Sequence, residues 1–350
     1  MQRSQLGKTD LTVTTLGYGA GPLGNLYREV SNQQATDALE TAWNAGMRYF
    51  DTAPFYGLGL SETRVGAFLS SKNKNDYVVS TKVGRLLHPA EPASKRYGFI
   101  NPLPNDITYD YSYDGVMRSV EASLERLGID RIDIILMHDI GRLTHGNNHD
   151  KHFSVAMESG YRAMDELRSS GVVKAIGLGV NEIEVCMASM DHGYWDCFLL
   201  AGRYTLLEQG GIQNFLPRCV EVGSSIILGG AYNSGILATG TRKGGTVYYD
   251  YEPAPKEIIS RVARIEDICE QYSVDMKAAA LQFPMAHPAV SCVIPGMGSP
   301  NRIAQTIDLF NAPIPDEFWR NLKADGLLDQ DCPIPDMDNT SIQNVGEQTS

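Results

Sequence analysis

GAGPLGNLYREVS, residues 19–31, is the stretch whose reading decides the fold. It follows the apolar run LTVTTLGY, and its first six residues satisfy G-x-G-x-x-G. After a strand, that pattern marks the phosphate-binding turn of an open, doubly wound sheet, in which the helix begins within the motif. Here Pro22 sits inside it, and helical periodicity starts only after NLYREVS. A lone match without its helix is weak support for an open sheet, and the stretch reads instead as a loop leaving a strand end.

Outward from this loop the chain alternates short apolar runs with amphipathic segments. LTVTTLGYGA leads to SNQQATDALETAWNAG, where Ala35, Ala38, Leu39, Ala42 and Trp43 form one stripe behind a Ser31, Gln34 capping box. MRYFDTA precedes SETRVGAFLSS, and DYVVSTKVG precedes DGVMRSVEASLERLG after a long loop. RIDIILMHDI precedes SGYRAMDELRSSG, and VVKAIGLGV precedes EIEVCMASMDHG. DCFLLAG with NFLPRCVEVG, SSIILGGAY with PKEIISRVARIEDICEQY, and AVSCVIPGMG with SPNRIAQTIDLF complete eight pairs. Strands that are apolar through most of their length and alternate with such helices imply a parallel sheet covered by helices. Eight repeats imply a (β/α)8 TIM barrel spanning residues 1–330, with its active site at the carboxyl ends of the strands. Residues 84–113 and 238–255 fall outside the alternation. Rich in aromatics and proline, they are expected to be long active-site loops acting as lids. Residues 331–350 read as a polar C-terminal tail.

Composition narrows the function. The 350 residues carry 42 acidic and 30 basic side chains, a net charge of −12. That balance disfavours nucleic acid or an anionic membrane surface and favours a small-molecule substrate. The start, MQRSQLGKTDLTV, has no signal-peptide pattern and no run approaches a membrane span, so a cytoplasmic location is expected. Cys186, Cys197, Cys219, Cys269, Cys292 and Cys332 are scattered without a CxxC pair and read as reduced packing residues.

The strand assignments align four polar side chains. Asp51 ends the second strand with Tyr56 just beyond it, Lys82 ends the third, and His138 ends the fourth. Individually these suit an ion pair, a packed phenol and a buried imidazole. Together on successive strands they suit proton transfer. A phenol titrates at about pH 10 when unperturbed, and a neighbouring ammonium lowers that value. Lys82 supplies the ammonium, Asp51 holds it protonated, and a neutral His138 is placed to donate to a substrate oxygen.

FDTAPFYG, STKVG, LMHD and IPGMGSPNRI resemble the motifs of the aldo-keto reductase superfamily, in order along most of the chain. SLERLGIDRIDIILMHD, HG at 145–146, KAIGLGVNE and KAAALQFPMAHPAVSCVIPG are most similar to the branch with L-fucose and D-threo-aldose 1-dehydrogenases, L-galactose dehydrogenase and pyridoxal 4-dehydrogenase. The resemblance implies a barrel with an N-terminal hairpin and a catalytic tetrad at Asp51, Tyr56, Lys82 and His138. It implies a nicotinamide cofactor contacted by Gly19, Ala20, Gly21, Asp51, Asn181, Tyr232, Ser234, Gly296, Gly298, Arg302 and Gln305. The pattern departs from the family at Gly179 and Val180 before Asn181, at Ala201, and at Gly229. After Ile-Pro, Gly296 and Met297 replace the Lys and Ser that grip the 2′-phosphate of NADP, which implies that NAD is preferred and NADP possible. The implied activity is oxidation of an aldose hemiacetal to a lactone, with pyridoxal oxidation or aldehyde reduction as alternatives, by a monomer or small homo-oligomer.

Two other classes stay open. HDIGRLTHGNNHDKH gathers His138, His145, His149 and His152 with Asp139 and Asp150, and His-rich tracts can serve a metal-dependent hydrolase. The spacing matches no HExxH pattern, so the expected state is surface imidazoles in a loop and no metal. The other is a cofactor-binding sensor without catalysis.

Overall fold

A computed structural model describes residues 1–335. Eight parallel strands follow one another round the molecule: Tyr18–Gly19, Tyr49–Asp51, Val78–Val83, Ile134–His138, Ala175–Val180, Cys197–Ala201, Ser225–Gly229 and Val290–Val293. The first and last also meet. Gly17 N donates to Val293 O at 2.9 Å, Val293 N donates to Thr15 O at 3.0 Å, and Gly19 bridges Gly296. The sheet therefore closes into the expected barrel, and the open-sheet alternative is excluded. Closure also explains the strands' apolar character, since both faces are covered.

LTVTTLGYGA is not one strand. Thr12–Thr14 pairs antiparallel with Arg3–Gln5 in the N-terminal hairpin, and only Tyr18–Gly19 joins the barrel. Leu6, Leu11 and Val13 of the hairpin pack with the inward-facing Tyr49, Ile134, Leu136 and Ile227. Each such burial contributes roughly 1.5–3 kcal/mol, and together they plug the amino end of the barrel, leaving the carboxyl end for chemistry. The helix Asn32–Asn44 begins at the expected capping box: Gln34 N donates to Ser31 Oγ at 3.2 Å and Ser31 N to Gln34 Oε1 at 2.9 Å.

Three regions differ from expectation. Residues 84–113 are a β-ribbon in which Arg85–Pro89 pairs with Asn105–Tyr109 and Lys95–Arg96 with Phe99–Ile100. Within 238–255, Tyr248–Tyr249 pairs with Glu252–Pro253. The histidine tract is helical, over Arg142–His145 and His149–Val155, rather than a loop of surface imidazoles. His145 is buried, accepts from or donates to Tyr111 Oη at 2.9 Å and stacks 4.1 Å from His152, so the ribbon's tyrosines shelter it. Among the described residues no group of three or more His, Cys, Asp or Glu is placed to hold a metal ion. Nor is any helix among them long and apolar enough to cross a membrane. All six cysteines are free and buried. Cys332, inside the expected tail, is one of them; residues 336–350 of that tail lie outside the described residues.

Candidate active site

The second strand ends at Asp51, and the chain then turns through Gly57, Leu58 and Gly59, all at positive φ, into the helix Leu60–Leu69. Two glycines meet this demand cheaply, and the reversal holds Tyr56 over the barrel mouth. Gly24, the last glycine of the opening motif, lies against that turn. A Cβ there would come within 2.4 Å of the Tyr56 carbonyl carbon and 2.5 Å of Gly57 N. The glycine is thus required by the approach of Tyr56's backbone, whereas a Cβ on Gly21 would meet nothing within 4 Å.

Lys82 is 1 % exposed, and its ammonium donates to Asp51 Oδ2 at 2.8 Å, Asp51 Oδ1 at 3.0 Å and Thr52 O at 2.9 Å. Ser80 Oγ donates a further 2.7 Å bond to Asp51. Lys82 Nζ also lies 4.7 Å from the centre of the Tyr56 ring, and that ring meets the His138 ring edge-on at 6.1 Å. The four residues picked from sequence are therefore brought together, with Asp51 behind Lys82 and Tyr56 in front.

Burial opposes the Lys82 charge, but the Asp51 carboxylate and Tyr56 outweigh it, so the amine titrates above its ordinary value and stays an ammonium. Burial pushes the Asp51 carboxyl up, opposed by Lys82 and Ser80. For His138, burial and then the charges of Arg85 and Lys82 drive the imidazole well below its usual range, leaving it neutral. Tyr56 corrects the expectation. Burial raises its pKa, Asp51 and Asp139 add to the rise, and Lys82 only partly offsets them. The group is a phenol at neutral pH, not a ready phenolate.

Tyr56, Lys82 and His138 line a cavity of about 400 Å³ together with Phe55, Tyr97, Phe99, Asn181, Tyr251 and others. A larger cavity of about 700 Å³ shares Leu26 and Tyr27 with it and carries Arg28, Tyr232, Lys277, Gly296, Gly298, Arg302 and Gln305. Residues 15–325 match the Aldo/keto reductase family.

The chain belongs to the aldo-keto reductase family.

It is accordingly an oxidoreductase, of a family that binds nicotinamide cofactors. It is 45% identical over 338 residues to a pyridoxal 4-dehydrogenase from Microbacterium luteolum, covering 93% of this chain and 98% of the relative. It is 40% identical to a D-threo-aldose 1-dehydrogenase from a Pseudomonas species, with 91% and 95% covered. An L-galactose dehydrogenase from Arabidopsis thaliana is 28% identical, with 86% of each chain covered. The fold matches that of an aldo-keto reductase from Bacillus halodurans in its holo form at a TM-score of 0.71, with 23% identity and 93% and 96% coverage.

The paired cavities of this aldo-keto reductase fit a dinucleotide. Three cations, Arg28, Lys277 and Arg302, line the larger one, and the helix Pro300–Phe310 begins beside it at a Ser299 cap. Of the residues expected to touch a cofactor, Tyr232, Gly296, Gly298, Arg302 and Gln305 stand on the larger cavity and Asn181 on the smaller. Gly19, Ala20, Gly21 and Asp51 line neither. Ala20 is fully buried, its N donating to Asp51 O at 2.9 Å, and Gly19 belongs to the closing seam. Ser234 accepts at 3.0 Å from Tyr251 N.

Sequence reasoning placed Asp139 only in the histidine tract, as a candidate metal ligand, and missed Arg85. Asp139 follows His138 at φ 46°, and its carboxylate takes a 2.5 Å ion pair from Arg85 and a 3.2 Å bond from Asn181 Nδ2. Arg85 is buried with its guanidinium 4.1 Å over the Phe55 ring. A charged residue directly after a strand-end histidine was the available signal. Of the tyrosines at the mouth, Tyr97 and Tyr251 come from the two stretches expected to act as lids, and Tyr27 was missed; each sits at positive φ, with 65% of Tyr27, 49% of Tyr97 and 63% of Tyr251 exposed.

Proposed function

We propose that this enzyme oxidises the anomeric carbon of an aldose hemiacetal to a lactone, preferring NAD. The observation that carries this is the cavity where Tyr56, Lys82 and His138 meet, in a chain 40% identical to an aldose 1-dehydrogenase. When bound, the nicotinamide supplies the ring carbon that accepts hydride. The chain's residues then manage the proton. As hydride leaves the anomeric carbon, its hydroxyl proton passes to the Tyr56 oxygen and the C–O bond becomes a carbonyl. Lys82, held charged by Asp51, stabilises the Tyr56 oxygen when it is negative, and the neutral His138 orients the substrate oxygen. Aldoses of the L-fucose, L-galactose or D-arabinose type are the first choice. Pyridoxal, whose internal hemiacetal gives a lactone by the same step, is favoured as second by the 45% identity to a pyridoxal dehydrogenase.

For the cofactor, neither position after Ile294 and Pro295 offers a grip on a 2′-phosphate. Gly296 has no side chain, and Met297 is fully buried. Asp275 and Asp308 also line the larger cavity and offset part of the positive charge of Arg28, Lys277 and Arg302. Losing charge-assisted contacts worth about 1.5–3 kcal/mol each leaves NAD favoured at least ~10-fold in kcat/KM. A screen of aldoses, pyridoxal and simple aldehydes against both cofactors, followed by nicotinamide absorbance, tests both parts. Rapid NADP-specific reduction of simple aldehydes with no sugar oxidation would overturn the reading.

The raised pKa of Tyr56 sets the pH dependence. Oxidation needs the minor, deprotonated form, so its kcat/KM climbs by ~10-fold per pH unit above neutrality until the phenol titrates. Reduction uses the phenol already present and shows no such rise. Profiles measured in both directions check this, and an oxidation rate flat from neutral to alkaline pH would remove Tyr56 as proton acceptor.

A further inference from the structure

Asp139 has capacity that the fold does not use. Its carboxylate has about four acceptor positions. Within the protein Arg85 Nη2 occupies one at 2.5 Å on Oδ2, and Asn181 Nδ2 another at 3.2 Å on Oδ1. The side chain is 16 % exposed and lines the cavity with Tyr56, Lys82 and His138. Its backbone is pinned as well: Asp139 N donates to Gly179 O at 2.9 Å, and a left-handed φ of 46° lets the chain turn sharply straight after the fourth strand. Holding a carboxylate there, part-desolvated and incompletely bonded, is costly without a ligand to complete it.

Its distance from His138 indicates which ligand atom that is. His138 Nε2 stands 3.4 Å from Asp139 Oδ2. A substrate whose reacting oxygen sits at Tyr56 and His138 meets Asp139 with the oxygen on the next carbon, because neighbouring hydroxyls span a similar gap. We propose that Asp139 is a specificity-determining residue whose carboxylate accepts a hydrogen bond from the hydroxyl adjacent to the reacting carbon, so that 2-hydroxylated aldoses are selected over 2-deoxy sugars and simple aldehydes. Arg85 is a positioning residue: it is absent from the cavity wall, stacks on Phe55 and holds the carboxylate from behind. The inference rests on the hemiacetal-oxidation reading above and adds to it the group that is recognised.

The test compares L-fucose with 2-deoxy-L-fucose, which differ only in that hydroxyl, by measuring kcat and KM for the wild type and for Asp139→Asn. A site built around a substrate hydroxyl rejects the analogue lacking it, here by ~10²-fold in kcat/KM for the wild type, the worth of one hydrogen bond to a charged group. In Asp139→Asn the preference shrinks to within about threefold, chiefly through a higher KM for L-fucose. Arg85→Lys keeps a cation but loses the guanidinium fork, and narrows the preference partway, which gives a second reading should the asparagine variant fail to fold. A wild type that oxidises both sugars equally well, or an asparagine variant that keeps the full preference, overturns the proposal alone. A wild type that oxidises neither sugar with either nicotinamide overturns the functional reading and this inference with it.

Discussion

Replacing Tyr56 with phenylalanine lowers kcat for sugar oxidation by ~10² to 10⁴-fold while leaving the protein folded and able to bind its cofactor. The variant keeps the ring that faces the Lys82 ammonium at 4.7 Å and packs edge-on against His138, so the turn at residues 57–59 retains its support. Only the hydroxyl is lost, and with it the atom that exchanges the substrate proton. Steady-state kinetics with circular dichroism and a cofactor titration separate the two effects. A fall of less than tenfold with intact binding would show that some other group moves the proton, and a sensor without catalysis would show no turnover in the wild type either.

Replacing Lys82 with methionine has the largest effect on stability. The ammonium supplies two of the three hydrogen bonds that side chains give to Asp51, and its removal strands a carboxylate only 2% exposed. Breaking a buried pair from one side costs about 3–5 kcal/mol, read as a lower urea midpoint with an unchanged slope. Activity falls at least ~10²-fold at the same time, because Tyr56 loses the charge that stabilises its ionised oxygen. Adding Asp51→Asn removes the stranded charge and restores most of the lost stability without restoring turnover. If the double variant is less stable than Lys82→Met alone, the pair is not the balanced unit described here.

Much of this site is legible in the sequence because its parts sit at strand ends, where chain order and spatial order agree. Asp51 and His138 close their strands and Lys82 stands one residue before the end of the strand between them, so the apolar runs alone bring the three to one rim. The Ser31 and Gln34 cap was equally local. What escaped depends on pairings between distant, weakly patterned segments. Arg85 opposes Tyr109 across a ribbon whose strands are two to five residues long and only partly buried, too short for a clear alternation. His145 looked exposed because its shelter, Tyr109 and Tyr111, comes from that ribbon. The role of Asp139 escaped for another reason: the residue's left-handed backbone and its partners Arg85 and Asn181 follow from tertiary placement alone. Tyr56 shows the limit on the chemical side. Its lysine neighbour is legible in the sequence, but the burial that outweighs that lysine follows from tertiary packing alone.

GAGPLG, the six residues from which the fold was read, serves the same site in a way its pattern conceals. Its last glycine lets the backbone of Tyr56 pass within contact, and Pro22 packs near Gly296 on the larger cavity. The motif supports the backbone of Tyr56, the residue proposed to exchange the proton, instead of opening a phosphate-binding helix.

The most direct measurement is the oxidation assay run with L-fucose carrying deuterium at C1 and NAD, with mass spectrometry of both products. The account predicts one deuterium on the reduced nicotinamide and a sugar lactone without label at C1. Reduced nicotinamide lacking deuterium, or label retained at C1 of the sugar after turnover, would contradict it.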